Sequence, residues 1–220
     1  MHTMILRLIF LLTTFCISLS VHSQNDGWEM KKENDGIKVY TRKLEGQRFK
    51  EIRIKTKCKT SLNAIMAAFD DTAGHKDWVY KTPDSYTVEK VDENTLIYYI
   101  KSDLPFPLTD RDIVIKYSWT QDPDTKVITT VSEGISGKVD DIDGNIRVTD
   151  FLSEYILTPQ EDGWIDIEYY AKMDPAGKLP AWLVNMAVTT GPIKTMEKFF
   201  EILQSGKYDK IMIEGVSELR

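Results

Sequence analysis

The chain has 220 residues, 42% of them hydrophobic, and a formal net charge of −6 at pH 7. It is long enough for one domain with a sizeable core, and its acidity argues against nucleic acid and anionic membrane surfaces, which reward basic patches. Two cysteines and three histidines leave little for a zinc cluster or for histidine-based catalysis, so no metal and no cofactor is expected.

Residues 1–23 differ from the rest. Leu8 to Leu19 is an apolar run behind the basic Arg7, and Val21-His22-Ser23 offers a cleavage point before Gln24. The run is shorter than a membrane span needs, and Phe15 stands where lipid attachment at Cys16 would want a small residue. The segment reads as a cleaved signal peptide, which predicts a secreted or periplasmic protein. Its removal leaves Cys58 and His75 as the single cysteine and histidine, so no internal disulfide forms and the fold must rest on its core. The expected division is a signal peptide at 1–23, one domain at 24–206 and a tail at 207–220.

Along the chain, Trp28-Glu29-Met30 reads as a short helix or extended lead-in closing at the turn Asn34-Asp35-Gly36. Ile37 and Val39 start a strand, and Phe49 to Lys59 makes another that buries Cys58. Ser61 caps a helix from Leu62 to Asp70 with an apolar face at Leu62, Ile65, Met66 and Phe69. His75, in the segment that ends it, reads as a solvated loop residue, since no nucleophile context accompanies it.

Strands are predicted at 86–91, 95–101, 111–120, 126–133, 146–157 and 164–173, with one wet and one dry face and short polar turns that make neighbours antiparallel. The last long segment, Leu179 to Leu203, carries Trp182, Met186, Ile193, Met196, Phe200 and Leu203 at helical spacing, and Gly191-Pro192 predicts a kink. The fold class is therefore α+β, a long helix lying on a large antiparallel sheet.

Three features bear on function. Trp78, Tyr98, Tyr117, Trp119, Tyr155 and Tyr169 fall on dry positions, where each polar tip either bonds to backbone or helps line a cavity. Arg111, between Asp110 and Asp112, reads as a positioned ion pair or as a contact for a ligand carboxylate or phosphate. Residues 134–145 match a calcium loop poorly, with Val139 at its first acidic position, and Asp143-Gly144 reads as a hairpin turn.

The chain resembles the steroidogenic-acute-regulatory-related lipid transfer (START) domains from about Trp28 to Leu203. The carriers are Trp28 with the run Asp35 to Tyr40, Pro107 to Val114, Gly144 to Arg147, Tyr155 to Pro159, and Asp174 to Pro180. The resemblance implies a helix-grip fold, a curved sheet closed by a C-terminal helix over a tunnel for one lipid. Where sterol-binding relatives place a buried acid and arginine, this sequence has Tyr98 and Tyr117. Residues 134–145 fall at the family's entrance loop but carry Asp140, Asp141 and Asp143, which disfavours pressing onto an anionic bilayer.

The resulting expectation is a monomeric, non-catalytic carrier of a lipid or other hydrophobic small molecule, touching membranes only transiently. Its ligand-binding residues are expected to be Trp78, Tyr98, Arg111, Tyr117, Trp119, Tyr155, Tyr169, Met186, Ile193, Met196 and Phe200, with entry between the final helix and the acidic loop. Two alternatives stand beside it: an enzyme of cyclase or hydrolase type, with Asp112 the nearest acid by sequence, and an interaction domain with a filled core.

Overall fold

A computed structural model of the chain describes residues 26–219; the expected signal peptide, and the side chains of residues 181, 182 and 185–187, lie outside the described residues. Ten strands form one sheet: β1 (Glu29–Asn34), β2 (Ile37–Arg42), β3 (Glu51–Lys59), β4 (Asp84–Lys90), β5 (Thr95–Ser102), β6 (Asp110–Gln121), β7 (Ile128–Ile135), β8 (Asn145–Arg147), β9 (Phe151–Pro159) and β10 (Trp164–Met173). Nine run antiparallel in the order β1-β2-β3-β10-β9-β7-β6-β5-β4, and β8 pairs parallel with the start of β6. The helices are α1 (Leu62–Asp70), the single turn α2 (His75–Trp78) and α3 (Ala181–Gln204). This is the α+β arrangement the periodicity predicts, a large antiparallel sheet gripped by a C-terminal helix.

The residues at Trp28–Met30 pass into β1, an extended edge strand whose hairpin with β2 turns through two left-handed residues, Asp35 (φ 46°) and Gly36 (φ 79°). The strand expected at 146–157 is two strands, because Val148 N donates to Asp112 O and residues 148–150 leave the ladder between β8 and β9. Asp143-Gly144 is a turn, but it leads into a strand parallel to β6, so residues 136–144 form a loop and no hairpin.

Alternation on β6 sends Ile113, Ile115, Tyr117 and Trp119 toward the helices and Asp112 and Val114 to the opposite face. That opposite face is not wet throughout. Ile97, Tyr99 and Val114 are buried there because Val139, from the loop after β7, packs over them. Under the same loop, Arg147 Nε and Nη2 donate to the two Asp112 oxygens at 2.7 and 3.2 Å, while Nη1 donates to Val139 O and Nη2 also to Asp140 O. Asp112 therefore has its ion-pair partner in Arg147.

The core is solid at one end only. Ser61 Oγ caps α1 by accepting from Ala64 N at 3.1 Å, and every residue from Leu62 to Phe69 is buried. The C-terminal half of α3 packs here, with Phe199 stacked on Phe69 at 5.4 Å and Leu203 beside it. Residues 207–219 cover the outside of α1. Tyr208 is buried and donates to Asp71, Ile213 N donates to Asn63 Oδ1, and Glu218 accepts from Leu62 N and Asn63 N. The N-terminal half of α3 has no such filling beneath it. The helix is continuous through Pro192.

Candidate functional site

Between the sheet and α3 lies a cavity of about 830 Å³, at the upper end of what small-molecule sites occupy. Its floor comes from inward positions of the central strands: Ile113, Ile115 and Tyr117 of β6, Ser132 of β7, Tyr155 of β9 and Tyr169 of β10. Its roof is α3 from Leu183 to Met196, and its side wall includes His75 and Trp78 of α2. The period-two pattern of the strands thus aims one side chain in two from each strand into a single space. The exposed and half-buried part of the lining marks the mouth, formed by Lys31, the 43–50 segment, Lys81, the 102–104 segment and the chain from Met173 into α3.

Of the eleven residues singled out from sequence, seven line this space: Trp78, Tyr98, Arg111, Tyr117, Tyr155, Tyr169 and Met196. Three are placed in packed regions instead. Trp119 is buried at the solid end against the chain at Gly215, and Ile193 and Phe200 lie on the flank of α3 that meets Ile37, Val39 and Ile54. They share the stripe with Met196, but the sheet curves, so different parts of one helix face meet filled and empty space. The side chain of Met186 lies outside the described residues.

Away from the mouth, the interior carries hydroxyls and no ionised side chain among the described residues. The Tyr98 ring sits edge-on to His75 at 5.2 Å, and the Tyr155 and Tyr169 rings pack at 4.5 Å. Burial raises the phenols of Tyr98, Tyr117 and Tyr155 well above their ordinary range and that of Tyr169 to about 12, so all stay protonated at neutral pH. Ser132 beside Tyr98 and Ser153 beside Tyr169 partly offset this. His75 is a buried wall residue rather than a solvated loop residue: Nε2–H donates to Phe69 O at 2.9 Å, and burial lowers its pKa to about 4, leaving the ring neutral. Trp78 Nε1 and Thr41 Oγ1, both on cavity-lining residues, are buried and have no hydrogen-bond partner among the described residues.

Arg111 differs from its expected ion pairing. It donates to three backbone carbonyls, Thr109 O, Pro175 O at 3.1 Å and Ala176 O at 3.1 Å, which fixes the turn leading into α3. Asp112, the acid nearest to an enzymatic reading, lies on the other face of the sheet. The carboxylate among the described lining residues is Asp103, at the mouth beside Lys101. No residue of 134–145 lines the cavity, so the acidic loop is not its rim. Sequence reasoning passed over Ser132, Ser153 and the rim residues Arg48 and Phe49. Alternation with Thr130 and Tyr155 marks the two serines as inward, whereas the rim lies in an irregular segment with no period to read.

The START domain family model matches residues 17–208. An uncharacterized protein of Pseudomonas aeruginosa is 28% identical over 172 residues, covering 78% of this chain and 84% of that one. The phosphatidylcholine transfer protein of Rattus norvegicus is 23% identical over 169 residues, covering 74% of this chain and 78% of its own length. Among solved structures, a STAR-related lipid transfer protein from Xanthomonas axonopodis superposes with a TM-score of 0.74 at 26% identity, covering 81% of this chain and 99% of that one.

Proposed function

The chain belongs to the START domain family, and on that premise we propose that it is a non-catalytic carrier that binds one lipid or other hydrophobic small molecule inside the cavity under α3. The observation that carries this reading is the cavity itself: about 830 Å³ of mainly apolar space in a domain whose other end is packed solid. A folded chain gains nothing from an empty space of that size, because the lining forfeits contacts, whereas an apolar ligand restores them at about 25 cal/mol per Å² buried. The orphan Trp78 N–H and Thr41 hydroxyl support a ligand with at least one polar atom. The relatives named for lipid transfer point the same way.

The absence of chemistry in this reading rests on the interior. Its phenols are held protonated and its imidazole neutral and bonded to a backbone carbonyl, and Asp112 sits behind the sheet, so among the described residues no acid and base face each other across the space. The apolar N-terminal segment supports secretion or a periplasmic location. The carrier acts as a monomer and meets membranes transiently. Native mass spectrometry of the protein purified from its own host is expected to show a co-purifying lipid mass. A bare chain that also ignores lipophilic fluorescent probes would overturn the carrier.

A further inference from the structure

The charges that line the cavity are sorted by position. Lys31, Lys43, Arg48, Lys50 and Lys81 stand exposed at the mouth, against the single carboxylate of Asp103 among the described lining residues. Lys31 is held by Glu29 and Asp103 lies near Lys101. This is a cationic rim on a chain whose net charge is −6.

Two of the cations converge on one turn. Arg111 donates to the carbonyls of Pro175 and Ala176, and Arg48 Nη2 donates to the next one, Gly177 O, at 3.1 Å. The turn presents these carbonyls because Ala176 (φ 55°) and Gly177 (φ 68°) are both left-handed. Arg111 is only 7% exposed, yet no carboxylate lies within ion-pair distance of it among the described residues. The acids nearest in sequence are engaged elsewhere: Asp110 with Lys101 and Leu104 N, and Asp174 with Ala176 N. Carbonyls satisfy donors without cancelling the charge, and a guanidinium has five N–H groups, of which the bonds described use three. A buried cation whose nearest acid, Asp110, lies beyond ion-pair distance and is shared with Lys101 remains incompletely neutralised, and an anion relieves that cost.

We infer that the cavity takes an amphiphile with one anionic head, carboxylate or phosphate, held at the mouth by Arg48, Arg111 and the rim lysines while its uncharged part fills the interior. This rests on the carrier reading and adds to it a ligand class and an orientation. The reverse orientation would bury the anion among Tyr98, Tyr155 and Tyr169, where hydroxyls alone would face its charge.

The test titrates the delipidated protein with oleate, oleoyl lysophosphatidate and oleyl alcohol, which share a chain and differ in the head. At least one of the two anions is expected to bind about tenfold more tightly than the alcohol at low salt, with the gap closing as salt rises. The tighter anion identifies the head as carboxylate or phosphate. Inorganic phosphate alone is expected not to compete, and competition at the concentration of lysophosphatidate would overturn an amphiphile. Arg111→Gln removes the buried charge but also loosens the turn, and Arg48 bonds the same turn through Gly177 O, so the exposed pair Lys43→Gln and Lys50→Gln serves as the folded variant, expected to shrink the gap several-fold; an undiminished gap in that variant would overturn a head held at the mouth. Equal affinity for all three chains overturns the anionic head and leaves the carrier standing; failure of all three to bind overturns both.

Discussion

Thr41 and Trp78 show how a single side chain can be explained by an absent partner. The Thr41 hydroxyl is buried on a cavity-lining residue and makes no hydrogen bond among the described residues, so it loses water on folding without compensation. Thr41→Val keeps the shape and removes that cost, and the ligand-free protein should gain about 1 kcal/mol or more, read as a higher urea midpoint. The same variant should bind its ligand no better, and a fall in urea midpoint would show that Thr41 has a partner after all. His75 is the other diagnostic residue. Burial lowers its pKa from 6.5 to about 4 in the folded state. The unfolded chain therefore binds the proton first as pH falls, and stability drops between about pH 6.5 and 4, by roughly 3 kcal/mol in total at 1.36 kcal/mol per unit. His75→Gln should flatten the urea midpoint against pH across that window; an unchanged slope would assign it to carboxylates. That His75 is buried could not be read from Gly74-His75-Lys76, because Trp78 of the same turn covers only one side of the ring and the contact with Tyr98 of β5 is tertiary.

At the scale of elements, two devices fix the ends of the grip. Arg147 on β8 ties the 136–144 loop to β6 through Asp112, which is 1% exposed in its side chain. Arg147→Ala leaves that carboxylate buried without its cation, with only the long bond from Asn145 Nδ2 at 3.4 Å, which should cost about 3–5 kcal/mol, whereas replacing both partners by apolar residues should restore most of it. A double-mutant cycle in urea checks the pair, and independent, additive losses would dismiss it. At the other end, Glu218 satisfies the first amides of α1 from 156 and 155 residues away. Its removal by Glu218→Ala should cost about 1–2 kcal/mol, as loss of a helix cap does. Elements of this kind separate what the sequence shows from what it hides. Strands and helices were legible because Ile113, Ile115, Tyr117 and Trp119 repeat with period two and Met196, Phe200 and Leu203 with period near 3.6. The two devices were hidden because they join residues 35 and about 155 positions apart, with no local period connecting them.

For the whole molecule, the division into a packed end and a hollow end sets how stability and ligand must be linked. The same helix supplies both: Phe199 and Leu203 close against α1, while Leu183, Val188 and Met196 roof the open space. Sequence periodicity could place all five on α3, yet it could not distinguish filling from roofing, because that depends on how far the sheet curves away beneath each turn. A ligand that occupies the hollow binds the folded state alone. At one hundred times its dissociation constant it should add about 2.7 kcal/mol, and a domain of this size gains roughly 2–4 °C per kcal/mol, so the melting temperature should rise by about 5–10 °C. Val188→Trp fills the space from the roof and should remove most of this shift while leaving the packed end intact. A melting-temperature rise undiminished in that variant would mean that the ligand sits somewhere other than under the N-terminal half of α3, since occupancy of one volume by an indole and by a lipid is mutually exclusive.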